Sequence, residues 1–165
     1  MGDDLKRVFS VLLVVIMLSG CSSKATKIET VTKGISFECE ITYYNETYEC
    51  DCVVQKNGEA TFKFKYPTEI EGLEFLFSKN GVSAKYNEIE HINENETFRN
   101  TAAYLIWDVL SNASGEVKSE NDVFFIEGES KEYDYRLELG ATGLPIKLKT
   151  NPDIIDVTFK DVKIK

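Results

Sequence analysis

From Ile35 onward the chain alternates apolar and polar residues with a period of two, and this pattern excludes most folds. Phe37, Cys39, Ile41 and Tyr43 alternate with Glu38, Glu40 and Thr42, and Tyr48, Cys50, Cys52 and Val54 alternate with Glu49 and Asp51. A two-residue turn at Asn45-Glu46 predicts that Tyr43 pairs with Tyr48, Ile41 with Cys50 and Cys39 with Cys52. Both apolar faces then coincide, which is the test of a register. A three-residue loop at Lys56-Asn57-Gly58, with Gly58 left-handed, pairs Cys52 with Phe62 and Cys50 with Phe64, again apolar on apolar. Pro67 closes this third strand. Thr68–Gly72 reads as a loop, and the Asn80-Gly81 dipeptide between Leu73–Phe77 and Val82–Tyr86 is a hairpin signal.

The period changes once. Phe98, Ala102, Leu105, Ile106, Val109, Leu110 and Ala113 follow helical spacing and predict a helix over Thr97–Asn112, capped by Asn95 or Thr97, with Gly115 beyond its end. Alternation returns in Val123–Ile126, Tyr133–Leu139, Ile146–Leu148 and Ile154–Ile164. The expected fold class is mainly β (α+β). It is a curved antiparallel half-barrel sheet of about nine or ten strands with one mid-chain helix packed on its concave face. The candidate residues lining the space between helix and sheet are Phe62, Phe64, Phe75, Phe77, Leu105, Ile106 and Trp107, which serve equally as filling or as the wall of an apolar cavity.

The 165 residues carry 28 acidic and 19 basic side chains, a net charge of −9, which argues against nucleic acid as a partner because phosphate binding needs clustered Lys and Arg. Residues 1–20 read as an address. Lys6 and Arg7 precede an apolar run, Val8–Leu18, that is far shorter than the ~20 residues a membrane-spanning helix takes. Leu18-Ser19-Gly20-Cys21 then resembles the lipobox of bacterial lipoproteins. The resemblance implies that residues 1–20 are a signal peptide, that Cys21 is lipidated and that residues 21–34 are a polar tether to a single domain over 35–165. It also implies a cell-membrane protein, lipid-anchored at the extracytoplasmic face. The net charge is unchanged by cleavage, because Asp3 and Asp4 leave with Lys6 and Arg7. An anionic domain is held off an anionic membrane.

The lipobox, the meandering strands, Pro67, the mid-chain helix and Thr142-Gly143-Leu144-Pro145 together resemble the LolA/LolB-like superfamily, in the Firmicute branch that includes the clostridial spore-germination lipoprotein. That resemblance implies a half-open barrel with a helical lid. It also implies a non-enzymatic module that binds an envelope protein of the cell-wall hydrolase class, with a carrier of a lipid or acyl chain as the alternative. No ligand-binding position of the lipoprotein chaperones is matched here.

Cys39 and Cys52, opposed in the expected register, are candidates for a disulfide, with three reduced and buried cysteines as the other reading. Cys50-Asp51-Cys52 with Cys39 and His91 is a weaker metal candidate, because structural zinc takes Cys-x₂₋₄-Cys from a tight turn. No metal and no cofactor is therefore expected. His91, the only histidine, reads as a surface-loop residue among Glu88, Glu90 and Glu94. No catalytic motif accompanies it, and strand parity places no polar cluster inside the sheet, so no enzyme is expected.

Overall fold

The computed structural model describes residues 29–93, 98–130 and 133–165. Cys21 and the signal peptide, like the proposed caps Asn95 and Thr97, lie outside them. Among the described residues eleven strands form one antiparallel sheet: β1 Ile35–Tyr43, β2 Glu46–Val54, β3 Ala60–Tyr66, β4 Glu74–Ser78, β5 Gly81–Tyr86, β6 Ile89–Asn93, β7 Lys118–Glu120, β8 Val123–Ser130, β9 Tyr133–Leu139, β10 Pro145–Asn151 and β11 Ile155–Ile164. The order across the sheet is β6-β5-β4-β3-β2-β1-β11-β10-β9-β8-β7. Two meanders thus run outward from a central seam, where β1 pairs β11. The one α-helix among the described residues, α1 (Ala102–Asn112), lies between β6 and β7 in sequence. These strands are the two opposite edges of the sheet, so the helical connection crosses from one edge to the other. Hydrophobic burial puts that crossing on the apolar face.

The alternation places the side chains as expected. Phe37, Cys39, Ile41, Cys50, Cys52, Val54, Phe62, Phe64, Phe75 and Phe77 are buried in one core with the helix, while Glu38, Glu40, Glu49 and Asp51 face solvent. Upstream of β1, Thr32 is buried and the Val31 amide donates to the Gly143 carbonyl at 2.9 Å, so the packed chain begins before Ile35.

Four features differ from the sequence reading. The β1–β2 turn is Tyr44-Asn45, not Asn45-Glu46. Both turn residues have positive φ, 48° and 66°, as the tightest hairpin turn requires, and Asn45 takes the second position of that turn. The register therefore slips by two residues: Cys39 faces Cys50, Ile41 faces Tyr48 and Phe37 faces Cys52. The pairing of Cys52 with Phe62 and Cys50 with Phe64 is as expected, around a Gly58 at φ +89°. Secondly, the helix begins at Ala102 with Thr101 as its N-cap, the Thr101 hydroxyl accepting from the Tyr104 amide at 3.2 Å. Phe98 precedes the helix in a turn, and its carbonyl accepts from the Thr101 hydroxyl at 2.8 Å. Thirdly, β6 and β7 bring the strands to eleven, and His91 stands on β6 rather than in a loop. The fourth is a buried polar cluster under the helix.

Candidate functional site

The helix lies deep in the fold. Eight of its eleven residues are buried, including Leu105, Ile106, Val109 and Leu110 on the expected stripe. The aromatic residues opposite it pack against one another. Phe77, 0% exposed, stacks on Trp107 with ring centroids 5.2 Å apart and meets Phe62, also 0% exposed, edge-on at 5.6 Å. Phe75 lies 6.0 Å from Phe64 and 5.4 Å from Phe98. Trp107 Nε1 donates to the Gly58 carbonyl at 2.8 Å, so the β2–β3 turn is tied to the helix. The seven residues assigned from sequence to the helix–sheet space are thus brought together in one packed cluster.

Strand parity missed the polar cluster because its central member is on the helix. Asp108 is buried and accepts a short hydrogen bond from the Ser130 hydroxyl, and a second at 2.9 Å from Asn112 Nδ2. Tyr135 lies nearby. Burial, reinforced by the Asp108 charge, pushes its phenol above the ordinary value. Its ring crosses Gly128, where a Cβ would stand 2.6 Å from the phenol oxygen, so any side chain there would force the ring to shift. The chain's one imidazole, His91 on β6, belongs to the other end of the sheet. Among the described residues Asp108 and Ser130 thus form a buried hydrogen-bonded pair that His91 does not join.

Beside this cluster a cleft of about 550 Å³ opens at the ends of β8, β9 and β10. Glu127, Glu129, Asp134, Arg136 and Lys149 line it, a charged wall unsuited to an acyl chain. On the outer face Arg136 lies over the Phe125 ring at 3.6 Å, and Lys65 bridges Glu38 at 3.0 Å and Asp51 at 2.7 Å. Exposed ion pairs such as those of Lys65 each contribute about 0–1 kcal/mol.

Apolar surface is concentrated at the β6 edge instead. Ile89 is 74% exposed and Ile92 71%. Ile89 pairs with Tyr86, and Ile92 with Ser83, which in turn faces Leu76; both Tyr86 and Leu76 are exposed. Ile89 and Ile92 fall on opposite faces, so the edge is apolar on both sides, and as the last strand of the sheet β6 has only β5 beside it.

At the centre of the core three sulfurs converge. Cys39 Sγ lies 3.1 Å from Cys50 Sγ and 3.7 Å from Cys52 Sγ, and Cys50 and Cys52 are 3.3 Å apart. All three are free thiols, at most 2% exposed. The corrected register puts Cys50, rather than Cys52, directly opposite Cys39. His91 is excluded, because β6 is four strands from β2, about 19 Å at ~4.8 Å per strand.

No family model matches this sequence, and no curated protein matches it. Solved structures do match the fold. A LolA superfamily protein of Nitrosomonas europaea aligns over 86% of this chain and 90% of its own, with a TM-score of 0.50 and 10% identity. The fold is LolA-like. An uncharacterized conserved protein of Thermus thermophilus aligns over 82% of this chain and 80% of its own, with a TM-score of 0.52 and 11% identity. At such identity the likeness extends to the LolA-like architecture alone.

Proposed function

We propose that this protein is a lipoprotein of the cell envelope, anchored through Cys21 at the extracytoplasmic face of the cell membrane. Its LolA-like domain serves as a non-enzymatic binding module for another envelope protein. By likeness to the germination branch, that partner is of the cell-wall hydrolase class. One observation carries the choice over the lipid-carrier alternative. Phe62, Phe77, Ile106 and Trp107 fill the space between helix and sheet, while Ile89 and Ile92 stand in solvent at the edge. A carrier needs an open apolar cavity; a docking module presents its apolar surface outside. An unprotected edge strand is also a ready template for a partner's strand.

Native mass spectrometry on protein gently extracted from its host's membranes tests this. A stoichiometric envelope protein, lost in the Ile89→Asp/Ile92→Asp double variant while circular dichroism is unchanged, is the expected result. Both isoleucines are exposed, so the substitutions leave folding stability within about 0.5 kcal/mol each. A lipid-sized mass that stays with the domain after the Cys21 anchor is removed overturns this reading in favour of the carrier. The anchor has its own test. Cys21→Ala is expected to move the protein from the membrane to the soluble fraction, since two or three acyl chains at ~0.8 kcal/mol per buried methylene supply the attachment. Continued membrane association of that variant refutes the lipobox reading.

A further inference from the structure

The three core cysteines are more than a disulfide pair with a spare. A disulfide joins two sulfurs, yet here each of three lies within 3.7 Å of the other two. These three are the set of His, Cys, Asp and Glu side chains whose ligand atoms meet within 4.8 Å among the described residues. Cross-strand neighbours frame them with hydrocarbon. Cys39 faces Phe159 on β11, Cys52 lies between Phe37 and Phe62, and Cys50 faces Phe64. The ligand set so presented is all sulfur and soft, three-coordinate, and walled by phenyl rings.

We propose that Cys39, Cys50 and Cys52 form a binding site for one monovalent, thiophilic metal ion, Cu(I) being the biological cation of that chemistry. Soft thiolates select Cu(I), zinc and iron–sulfur centres among the first-row metals. A structural zinc takes four ligands, and here the fourth would have to come from a side chain that the phenyl wall does not offer. Cu(I) is satisfied by two or three sulfurs. The spacing suits it: metal–sulfur bonds of about 2.3 Å in a trigonal arrangement put the sulfurs about 4.0 Å apart, so each edge of the triangle opens by under an ångström.

The three sulfurs lie within hydrogen-bond distance of one another, so the side chains already point at a common centre before any ion is bound. Loading breaks no covalent bond except S–H: a thiol that becomes a thiolate on binding releases its proton to solvent, and copper stays Cu(I) throughout. Because the sulfurs are shielded, the ion enters as the chain folds, and binding is coupled to folding.

The test uses the full chain in detergent, prepared under strictly anaerobic and reducing conditions, with Cu(I) supplied from a chromogenic chelator. One Cu(I) per chain is expected, with thiolate-to-copper absorption in the ultraviolet and a raised thermal midpoint. Cys39→Ala, Cys50→Ala and Cys52→Ala should each weaken retention against the chelator at least tenfold, and Cys21→Ala should not. X-ray absorption on the loaded wild type, which does not depend on any variant folding, should show two or three sulfur neighbours and no nitrogen or oxygen. Failure to take Cu(I) from the chelator, a nitrogen or oxygen neighbour, or a Cys39–Cys50 disulfide in freshly isolated protein that excludes the ion would each overturn the proposal. None of these outcomes bears on the envelope-protein reading, which rests on the β6 edge.

Discussion

Replacing Phe77 with alanine is expected to lower the unfolding free energy by about 3–5 kcal/mol, the usual range for deleting a buried phenyl ring. Phe77 is completely buried and touches the rings of Phe62, Phe75, Tyr104 and Trp107, so removing it empties the place where sheet and helix meet. Small domains have about 5–15 kcal/mol of stability in total, so the variant loses a large part of it. Its neighbour makes a sharp control. Leu76 points to the opposite face and is exposed. Leu76→Ala should change stability by only about 0.5 kcal/mol. Urea unfolding followed by tryptophan fluorescence reports both, because Trp107 stacks on Phe77. Equal midpoints for the two variants would show that the core is not organised as described.

The second large effect concerns Asp108. Asp108→Ala removes the acceptor for two donors at once, leaving the buried Ser130 hydroxyl and the Asn112 amide without it. Asn112 is exposed and can turn to solvent, so the stranded Ser130 hydroxyl sets the cost, and a loss of about 1–3 kcal/mol is expected. Ser130→Ala alone should also destabilise, by leaving a buried carboxylate short of a partner. The double variant should cost less than the sum of the two, since the pair is removed together. Strict additivity in that cycle, measured by thermal or urea unfolding, would mean that Asp108 and Ser130 do not interact in solution.

The fold was largely legible in the sequence, and the misreadings share a physical cause. Alternation records which face a residue occupies, and a slip of two residues preserves every face. The β1–β2 hairpin could therefore be given the right core and the wrong partners. Only the turn decides between the two registers, and Tyr44 at positive φ is a choice that side-chain preferences disfavour. That two-residue slip is also what separates a Cys39–Cys52 pair from the three-sulfur cluster. The edge strands escaped for a different reason. Half-burial is what imposes a period of two, and β7 (Lys118-Ser119-Glu120) is exposed throughout, while on β6 Ile89 and Ile92 are three apart and face opposite ways. The proposed docking edge was hidden for the same reason. The helix start was overextended because Phe98 continues the helical spacing, although the Thr101 cap sets the boundary. Asp108 lies off the apolar stripe and in no motif, so helical spacing alone gives no sign that it is buried. A curved sheet with its helix deep inside leaves few solvent-facing positions on that helix.

The seam at the middle of the sheet governs when this fold can exist. β1 is the first strand to be made and β11 the last, and Glu40 on one is held by Lys160 on the other across 120 positions of chain. Every other pair of neighbouring strands is consecutive in sequence. Hairpins can therefore form as the chain emerges, but the two halves join only after the final strand is available. Until then each half carries a bare central edge. Assembly is thus obliged to wait for the completed chain, and a sheet closed by so distant a pairing folds slowly for its size. A chain stalled before β11 would display two open edges, β1 and β10, both shaped for the same missing strand and both open to the β11 of another copy.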